Sequence, residues 1–367
     1  IMPSLVGSEM CIRDRYTIKC YDPYVEDFEY RLLNIDKATK NSDCIVMITD
    51  HKVFKNIDPK KLRVRNKNIV DTRNIIDADK WRKAGKIAAE ALEYGKSLIE
   101  PGASLLEVSE KIELKIKELG GECAFPVQIS CNHIAAHYCA DPDDKELFEN
   151  QVVCLDIGVH VDGYIGDTAC TVDLTNQYSD LVKASQDALR EAIKIVGIGT
   201  TLGEIGRVIH QVITSYGFAP VRNLSGHGLS RYNVHDSPSI PNFDTGDKTA
   251  LKRGQVIAIE PFATTGAGII YETKKANIFA VVNKKPVRNP ITRQVLNEIE
   301  HYHGLPFTTR WLTKKFPLFK VNLALKELLE RGIIKEFPPL PDRNRGIVSQ
   351  SEHTILVEEK VEVLTKN

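Results

Sequence analysis

Four acidic residues occupy matching places in two pairs of apolar segments. The first pair is Gln151 to Val172, QVVCLDIGVHVDGYIGDTACTV. It alternates as two half-buried strands joined at Asp162-Gly163, a dipeptide that favours a tight hairpin turn. With the turn centred between those residues, Asp156 lies opposite Ala169. Asp167 then shares its face as a diagonal neighbour. Two carboxylates this close repel, and one takes up a proton unless a cation sits between them. Joint cation binding is the chemistry open to such a pair. A solvent-facing pair on an edge hairpin is the alternative that carries no chemistry.

A second copy of the device favours the first reading. Gln151-Val152-Val153-Cys154-Leu155-Asp156 is echoed by Gln255-Val256-Ile257-Ala258-Ile259-Glu260. Gly166-Asp167-Thr168-Ala169-Cys170-Thr171-Val172 is echoed more loosely by Ser351-Glu352-His353-Thr354-Ile355-Leu356-Val357. Each half thus brings two carboxylates, which points to a duplicated half-domain.

Histidines add a second kind of ligand. His227 lies in Ser225-Gly226-His227-Gly228-Leu229, and His235 follows in Tyr232-Asn233-Val234-His235-Asp236-Ser237-Pro238. Glycines on both sides of His227 would let the backbone come close to a ligand; a structural histidine is the equal alternative. His133 and His137 stand four apart in Asn132-His133-Ile134-Ala135-Ala136-His137-Tyr138. That spacing signals a metal site on a helix, but the segment reads as a loop or strand end.

The elements that must position these groups repeat as well. Gly102 to Val108 matches Gly199 to Ile205, and each contains a Ser/Thr-x-x-Glu capping box, Ser104 with Glu107 and Thr201 with Glu204. Helical spacing follows in Val108, Ile112, Ile116 and Leu119 and in Ile205, Ile209, Ile213 and Tyr216; the helices stop at Gly120 and Gly217. Upstream, Asp79 is placed to cap a long helix with Trp81, Ala84, Ala88, Ala91, Leu92 and Leu98 on one stripe. The segment Val282 to Val348 interrupts the second hairpin. It contains its own helix, with Val321, Ala324, Leu325, Leu328 and Leu329 on one stripe, stopped by Gly332 and the Pro338-Pro339 turn. Its basic residues Arg310, Lys314, Lys315 and Lys320 read as a solvated face. Contact with RNA or the ribosome is the alternative.

Composition bounds the rest. Lys plus Arg and Asp plus Glu both number 49, so no bulk attraction to nucleic acid or anionic membrane is implied. No apolar run is long enough to span a bilayer, and no secretory signal is visible. Eight cysteines without a CxxC pair read as reduced thiols of a cytoplasmic protein.

The N-terminal part differs in kind. Residues 1–15, IMPSLVGSEMCIRDR, have no period or caps and resemble a translated sequencing adapter. From Tyr16 to about Ile76 strand and helix alternate as a small parallel α/β fragment, with strands at Thr17–Tyr21, Cys44–Thr49 and Asn68–Asp71. Tyr21-Asp22-Pro23-Tyr24-Val25, Asp43 to His51 and Val70-Asp71-Thr72-Arg73-Asn74 resemble the C-terminal, nucleotide-sugar-binding domain of UDP-sugar dehydrogenases, the N-acetylmannosamine branch above all. There is no G-x-G-x-x-G loop and no segment like the domain that brings the catalytic cysteine. Hydride transfer is thereby excluded. The Asn-Ile-Ile-Asp-x-x-Lys-x-Arg-Lys-Ala-Gly run at the junction resembles both parents, as an assembly chimera would; gene fusion is the alternative.

From residue 77 to 367 the chain resembles the type 2 methionine aminopeptidases. The resemblance rests on the Asn-x-x-Ala-Ala-His-Tyr run, the Leu-Asp-Ile-Gly hairpin, Gly-His-Gly…His, Ala-Ile-Glu-Pro-Phe and Ser-Glu-His-Thr-Ile-Leu, in that order. It implies an α/β (α+β) pita-bread domain with a pseudo-two-fold axis and a helical insertion at about 283–348. It implies two divalent ions held by Asp156, Asp167, His227, Glu260 and Glu352. It also implies substrate contact by His137 and His235, with Phe125 as a wall of the methionine pocket. Oxygen ligands with one imidazole and no thiolate suit manganese, iron, cobalt or zinc. Such a pair would supply a water activated near neutral pH for attack on the first peptide bond. Glu260 is then the proton acceptor, His235 polarises the carbonyl and His137 steadies the leaving amide. The implied substrate is a nascent peptide with N-terminal methionine and a small second residue, acted on in the cytoplasm by a monomer. A proline-specific peptidase on this fold would carry Glu after the second histidine, where this chain has Asp236. A non-catalytic relative would lack ligands.

Overall fold

Alternation and an Asp-Gly turn dictate a hairpin, and Gln151 to Val172 forms one. The computed structural model describes residues 17–25, 28–49, 62–65, 69–71, 78–273 and 275–366. They divide into two units, 1–78 and 79–367.

In the first unit Asn34 caps a five-residue helix, Ile35–Thr39, by accepting from the Lys37 amide at 2.9 Å. Strands Ile45–Met47 and Ile69–Asp71 pair in parallel. The expected strand Thr17–Tyr21 is reduced to a bridge between Cys20 and Leu32. The adapter-like stretch 1–15 and the motif residues Thr72 to Asn74 lie outside the described residues.

The second unit is built from two similar halves. The first half begins with helices α1 (Ala78–Leu98) and α2 (Leu105–Glu118). Strands β1 (Gln128–Cys131), β2 (Val152–Val161) and β3 (Tyr164–Asp173) follow. The apolar stripes of both helices, including Ala88, Leu92, Val108, Ile112 and Ile116, bury against Ile129, Val153, Leu155 and Ile157. Asp79 falls inside the first turn rather than at the cap, because α1 starts at Ala78, two residues earlier than a cap at Asp79 would set it; it pairs with Arg82 at 2.9 Å. Ser104 accepts from the Glu107 amide, but Glu107 turns to Lys111 at 3.7 Å, so only half of that capping box forms. The box at Thr201 and Glu204 is complete.

The second half repeats the plan with α3 (Ser179–Ile195), α4 (Leu202–Ser215), β4 (Ser225–Ser230), β5 (Asn233–Pro241), β6 (Val256–Ile259) and β7 (Phe262–Thr264). Ala184, Ala188, Ile205, Ile209 and Ile213 pack on Ile257, Ile259 and Ile355. Gly120 and Gly217 end α2 and α4 with φ of 81° and 83°.

The insertion holds more than the single helix expected. Strand β8 (Ile278–Val281) leads to α5 (Pro290–Ile299), α6 (Thr309–Thr313), α7 (Leu318–Glu330) and β9 (Ile334–Phe337). These elements share their own core, with Phe279, Val295, Phe307, Leu312, Val321, Leu325 and Leu328. Arg310 corrects the solvated-face reading. It is 2% exposed and forms a two-pronged ion pair with Glu113 of α2, at 2.8 and 2.7 Å. Trp311 donates to the same carboxylate at 3.0 Å. Lys314 and Lys315 are exposed and pair with Glu110 and Glu298. The chain returns through β10 (Val348–Gln350) and β11 (His353–Leu356). Among the described residues no helix is long and apolar enough to cross a membrane.

Candidate metal centre

The hairpin β2–β3 closes at Asp162-Gly163, with positive φ at both residues, and pairs Asp156 with Ala169 and Gly158 with Asp167. Asp156 and Asp167 are therefore diagonal neighbours. The second pair has a different register. Strands β6 and β11 pair Val256 with Leu356 and Ile259 with His353. One further step sets Glu260 across from Glu352.

The two hairpins meet edge to edge at the pseudo-two-fold axis. The Glu352 amide donates to the Ala169 carbonyl at 3.0 Å, and Thr168 Oγ1 donates to the Glu352 carbonyl at 2.9 Å. Thr354 Oγ1 accepts from the Asp167 amide and donates to the Asp167 carbonyl, both at 2.8 Å. These threonines lock the two acidic strands in register.

His227 enters on β4, opposite Ala258 of β6. Its flanking glycines serve the sheet rather than a ligand. A Cβ on Gly226 would run into the Ala258 carbonyl, and one on Gly228 into the Ser237 carbonyl. Ligand atoms of Asp167, His227 and Glu352 lie within 4.8 Å of one another. Glu260 Oε1 stands 3.4 Å from His227 Nε2, and Asp167 Oδ2 3.8 Å. Asp156 and Glu260 are linked by Gln350, whose Nε2 lies 3.5 Å from a carboxylate oxygen of each. Of the five residues named from the sequence, Asp167, His227 and Glu352 thus form one group, Glu260 stands against His227, and Asp156 joins through Gln350.

The electrostatics of this group are unbalanced. Burial drives the pKa of Asp156 up to about 7. Burial, then the Asp156 charge, raises Asp167 well above the carboxylate range. Burial and the other carboxylates do the same for Glu260 and Glu352. His227 is pushed down to about 3, first by burial and then by His235, so its ring is neutral. With Nδ1–H donating to the Gly228 carbonyl at 3.2 Å, Nε2 turns its lone pair on the carboxylates. Asp156 Oδ1 and Asp167 Oδ1 are buried without a partner. Acceptors facing acceptors, with orphaned oxygens between, fit a divalent cation.

The remaining predicted residues line the walls. His227, His235, Phe337 and His137 follow one another, with ring centroids 4.7, 6.3 and 5.7 Å apart. Burial, then His235, lowers His137 to about 4. His235 is open to the cleft; the surrounding protein, then Lys335, moves its pKa in the same direction. Both rings are neutral at pH 7. His137 has a φ of 66°, a left-handed conformation that costs a non-glycine residue about 1 kcal/mol. A cavity of about 320 Å³ opens beside His137 and Phe337, bordered by Leu224, Ile270 and Tyr271. Phe125 is buried against Gly158, where any Cβ would strike its ring, and so packs directly beside the strand pair of Asp156 and Asp167. His133 joins none of these groups; its carbonyl accepts from the Asp342 amide.

Sequence reasoning missed Gln350, Phe337 and Gln128. Gln350 sits two residues before Glu352, on the same strand face by period, which is a usable signal. Phe337 comes from the insertion and carried no motif. Gln128 pairs with Asp156 across β1 and β2.

Comparison with known proteins agrees with this geometry. A sequence profile of metallopeptidase family M24 matches residues 79–359. A profile of the UDP-glucose/GDP-mannose dehydrogenase family, UDP binding domain, matches residues 3–78. Methionine aminopeptidase of Methanocaldococcus jannaschii is 47% identical over 78% of this chain and 98% of that protein. Its counterpart from Thermococcus onnurineus is 46% identical over 77% and 97%. Among solved structures, methionine aminopeptidase from Thermotoga maritima aligns with a TM-score of 0.59 and 24% identity, over 80% of this chain and 97% of that one. A thermophilic Arx1 gives 0.69 at 15% identity, over 79% and 90%. At these identities the solved structures show the pita-bread fold alone. The chain therefore belongs to metallopeptidase family M24, and within it to the methionine aminopeptidases.

Proposed function

We infer that this chain removes the N-terminal methionine from peptides and new proteins, using Asp156, Asp167, His227, Glu260 and Glu352 to hold two divalent ions. The observation that carries the reading is the cluster of buried, uncompensated carboxylates facing the bare Nε2 of His227. Manganese, iron, cobalt and zinc all suit these donors. When bound, such ions supply Lewis acidity and a water activated near neutral pH. The protein's own residues do the rest. Glu260, at the cleft side of the cluster, takes the proton of the attacking water. His235, neutral and open to the cleft, donates to the carbonyl that is attacked. His137 donates to or accepts from the amide on the leaving side. Phe125 closes a pocket that takes a flexible thioether and excludes charge.

The reading extends to a monomer acting on nascent chains in the cytoplasm, on substrates whose second residue is small. Three peptides test it. Met-Ala-Ser should release methionine, Met-Arg-Ser should do so at least about tenfold more slowly, and N-acetyl-Met-Ala-Ser should not react. Equal cleavage of the first two refutes the small-residue requirement. Cleavage of the acetylated peptide refutes the exopeptidase reading.

A further inference from the structure

We infer that Gln128 is a positioning residue that sets where the His137 imidazole stands over the cleft. The proposal rests on the reading of His137 as the group at the leaving amide.

The His137 backbone is in the left-handed region, and its ring Nδ1 is buried without a partner. Ring hydrogen bonding through that atom therefore does not orient the imidazole. The ring meets the Pro338 carbonyl and the edge of Phe337, and the left-handed backbone that carries it toward them is held by one bond, from the His137 amide to Gln128 Oε1 at 2.7 Å. Gln128 is buried in β1, directly opposite Asp156 on β2. The neighbouring backbone bonds tie down the rest of the loop: Ala135 donates to the Leu340 carbonyl, Leu340 to the Ala136 carbonyl, and Ile129 to the Tyr138 carbonyl. The amide of His137 lies between those ties and is held from the strand that pairs with a carboxylate of the metal centre. Gln128 thus works as a strut of fixed length between the floor of the site and the imidazole. Without its oxygen the left-handed turn loses the partner of its His137 amide.

The test is a double-mutant cycle with an independent structural readout. Gln128→Met keeps the length of the side chain and removes the acceptor. In the parent it should lower kcat for Met-Ala-Ser by about 10- to 100-fold with little change in KM and unchanged metal content. In a His137→Ala background the same substitution should cost less than about twofold, because there is no imidazole left to place. In metal-free, 15N-histidine-labelled protein, Gln128→Met should speed exchange of the His137 amide at least about tenfold and leave the other histidine amides as they were.

Equal loss in both backgrounds, or unaltered exchange at His137, overturns the inference. If Gln128→Met does not fold, Gln128→Leu takes its place in the cycle; failure of both assigns Gln128 to the core and also overturns it. If His137→Ala alone leaves kcat intact, it is the reading of His137 that fails. A damaged His137→Ala with no coupling to Gln128 leaves that reading standing and sinks the strut.

Discussion

Two clusters of buried charge lie in the peptidase unit, and they differ in balance. Between α2 and the insertion, Glu113 meets Arg310 in a two-pronged ion pair, with Trp311 on the same carboxylate. At the candidate metal centre, Asp167, Glu352 and Glu260 gather around one neutral histidine, with Asp156 reached through Gln350, and among the described residues no lysine or arginine pairs with them. The first cluster is complete within the chain. The second needs something from outside. Burial alone does not mark a functional site; burial without compensation does.

The largest effect that separates the clusters is on turnover. Glu260→Gln removes a ligand charge and the proton acceptor, so kcat should fall by about 100- to 10,000-fold. The apo fold should be no less stable than the parent, because like-charge repulsion is relieved. Normal turnover, or a marked drop in the melting point of the stripped variant, would put Glu260 outside the cluster.

The next effect is on stability and belongs to the compensated pair. Arg310→Met strands the Glu113 carboxylate and should destabilise the fold by ~3–5 kcal/mol. Adding Glu113→Leu should recover most of that loss. A double variant as unstable as the single one, in urea unfolding, would show that packing rather than charge decides this contact.

A third difference is pH dependence. The cleft carboxylates have folded pKa values above those of the unfolded chain. The folded, metal-stripped protein therefore holds protons that the unfolded chain has released. Its stability is full below about pH 4 for these groups and is lost as pH rises through their folded values, near 7 for Asp156. The melting temperature of stripped protein should fall between pH 5 and 8, and saturating manganese should remove the fall. A stripped protein that is more stable at pH 8 than at pH 5 contradicts the cluster.

How much of this was legible depended on range. The first hairpin could be read because its register is fixed locally by Asp162-Gly163 and by alternation. The second could not be read in full. Its strands are separated by the insertion, so no turn sets their register, and Glu260 came to lie across from Glu352 instead of diagonal to it. Four carboxylates were found because the repeat marks them. Arg310 was misread because its partner lies 197 residues away and a basic residue in a short helix looks solvated. Gln128, Gln350 and Phe337 have no motif; only the fold brings them to the cleft. The helix caps were visible, yet which boxes close depends on competing partners, as Lys111 shows for Glu107.

That last case supplies the smallest expected effect. Glu107 is exposed and lies in neither charge cluster. Glu107→Gln should change turnover by less than about twofold, as surface substitutions do. A larger loss, measured beside Glu260→Gln, would mean that carboxylates are being lost to function without regard to the cleft.

The most direct test of the uncompensated cluster is a metal titration followed by methionine release. Protein stripped with chelator should not cleave Met-Ala-Ser. Stepwise cobalt or manganese should restore cleavage with a break at no more than about two ions per chain, and Asp167→Asn with Glu352→Gln should abolish both uptake and recovery. Full cleavage by stripped protein, or metal uptake undiminished by those two substitutions, would contradict the account.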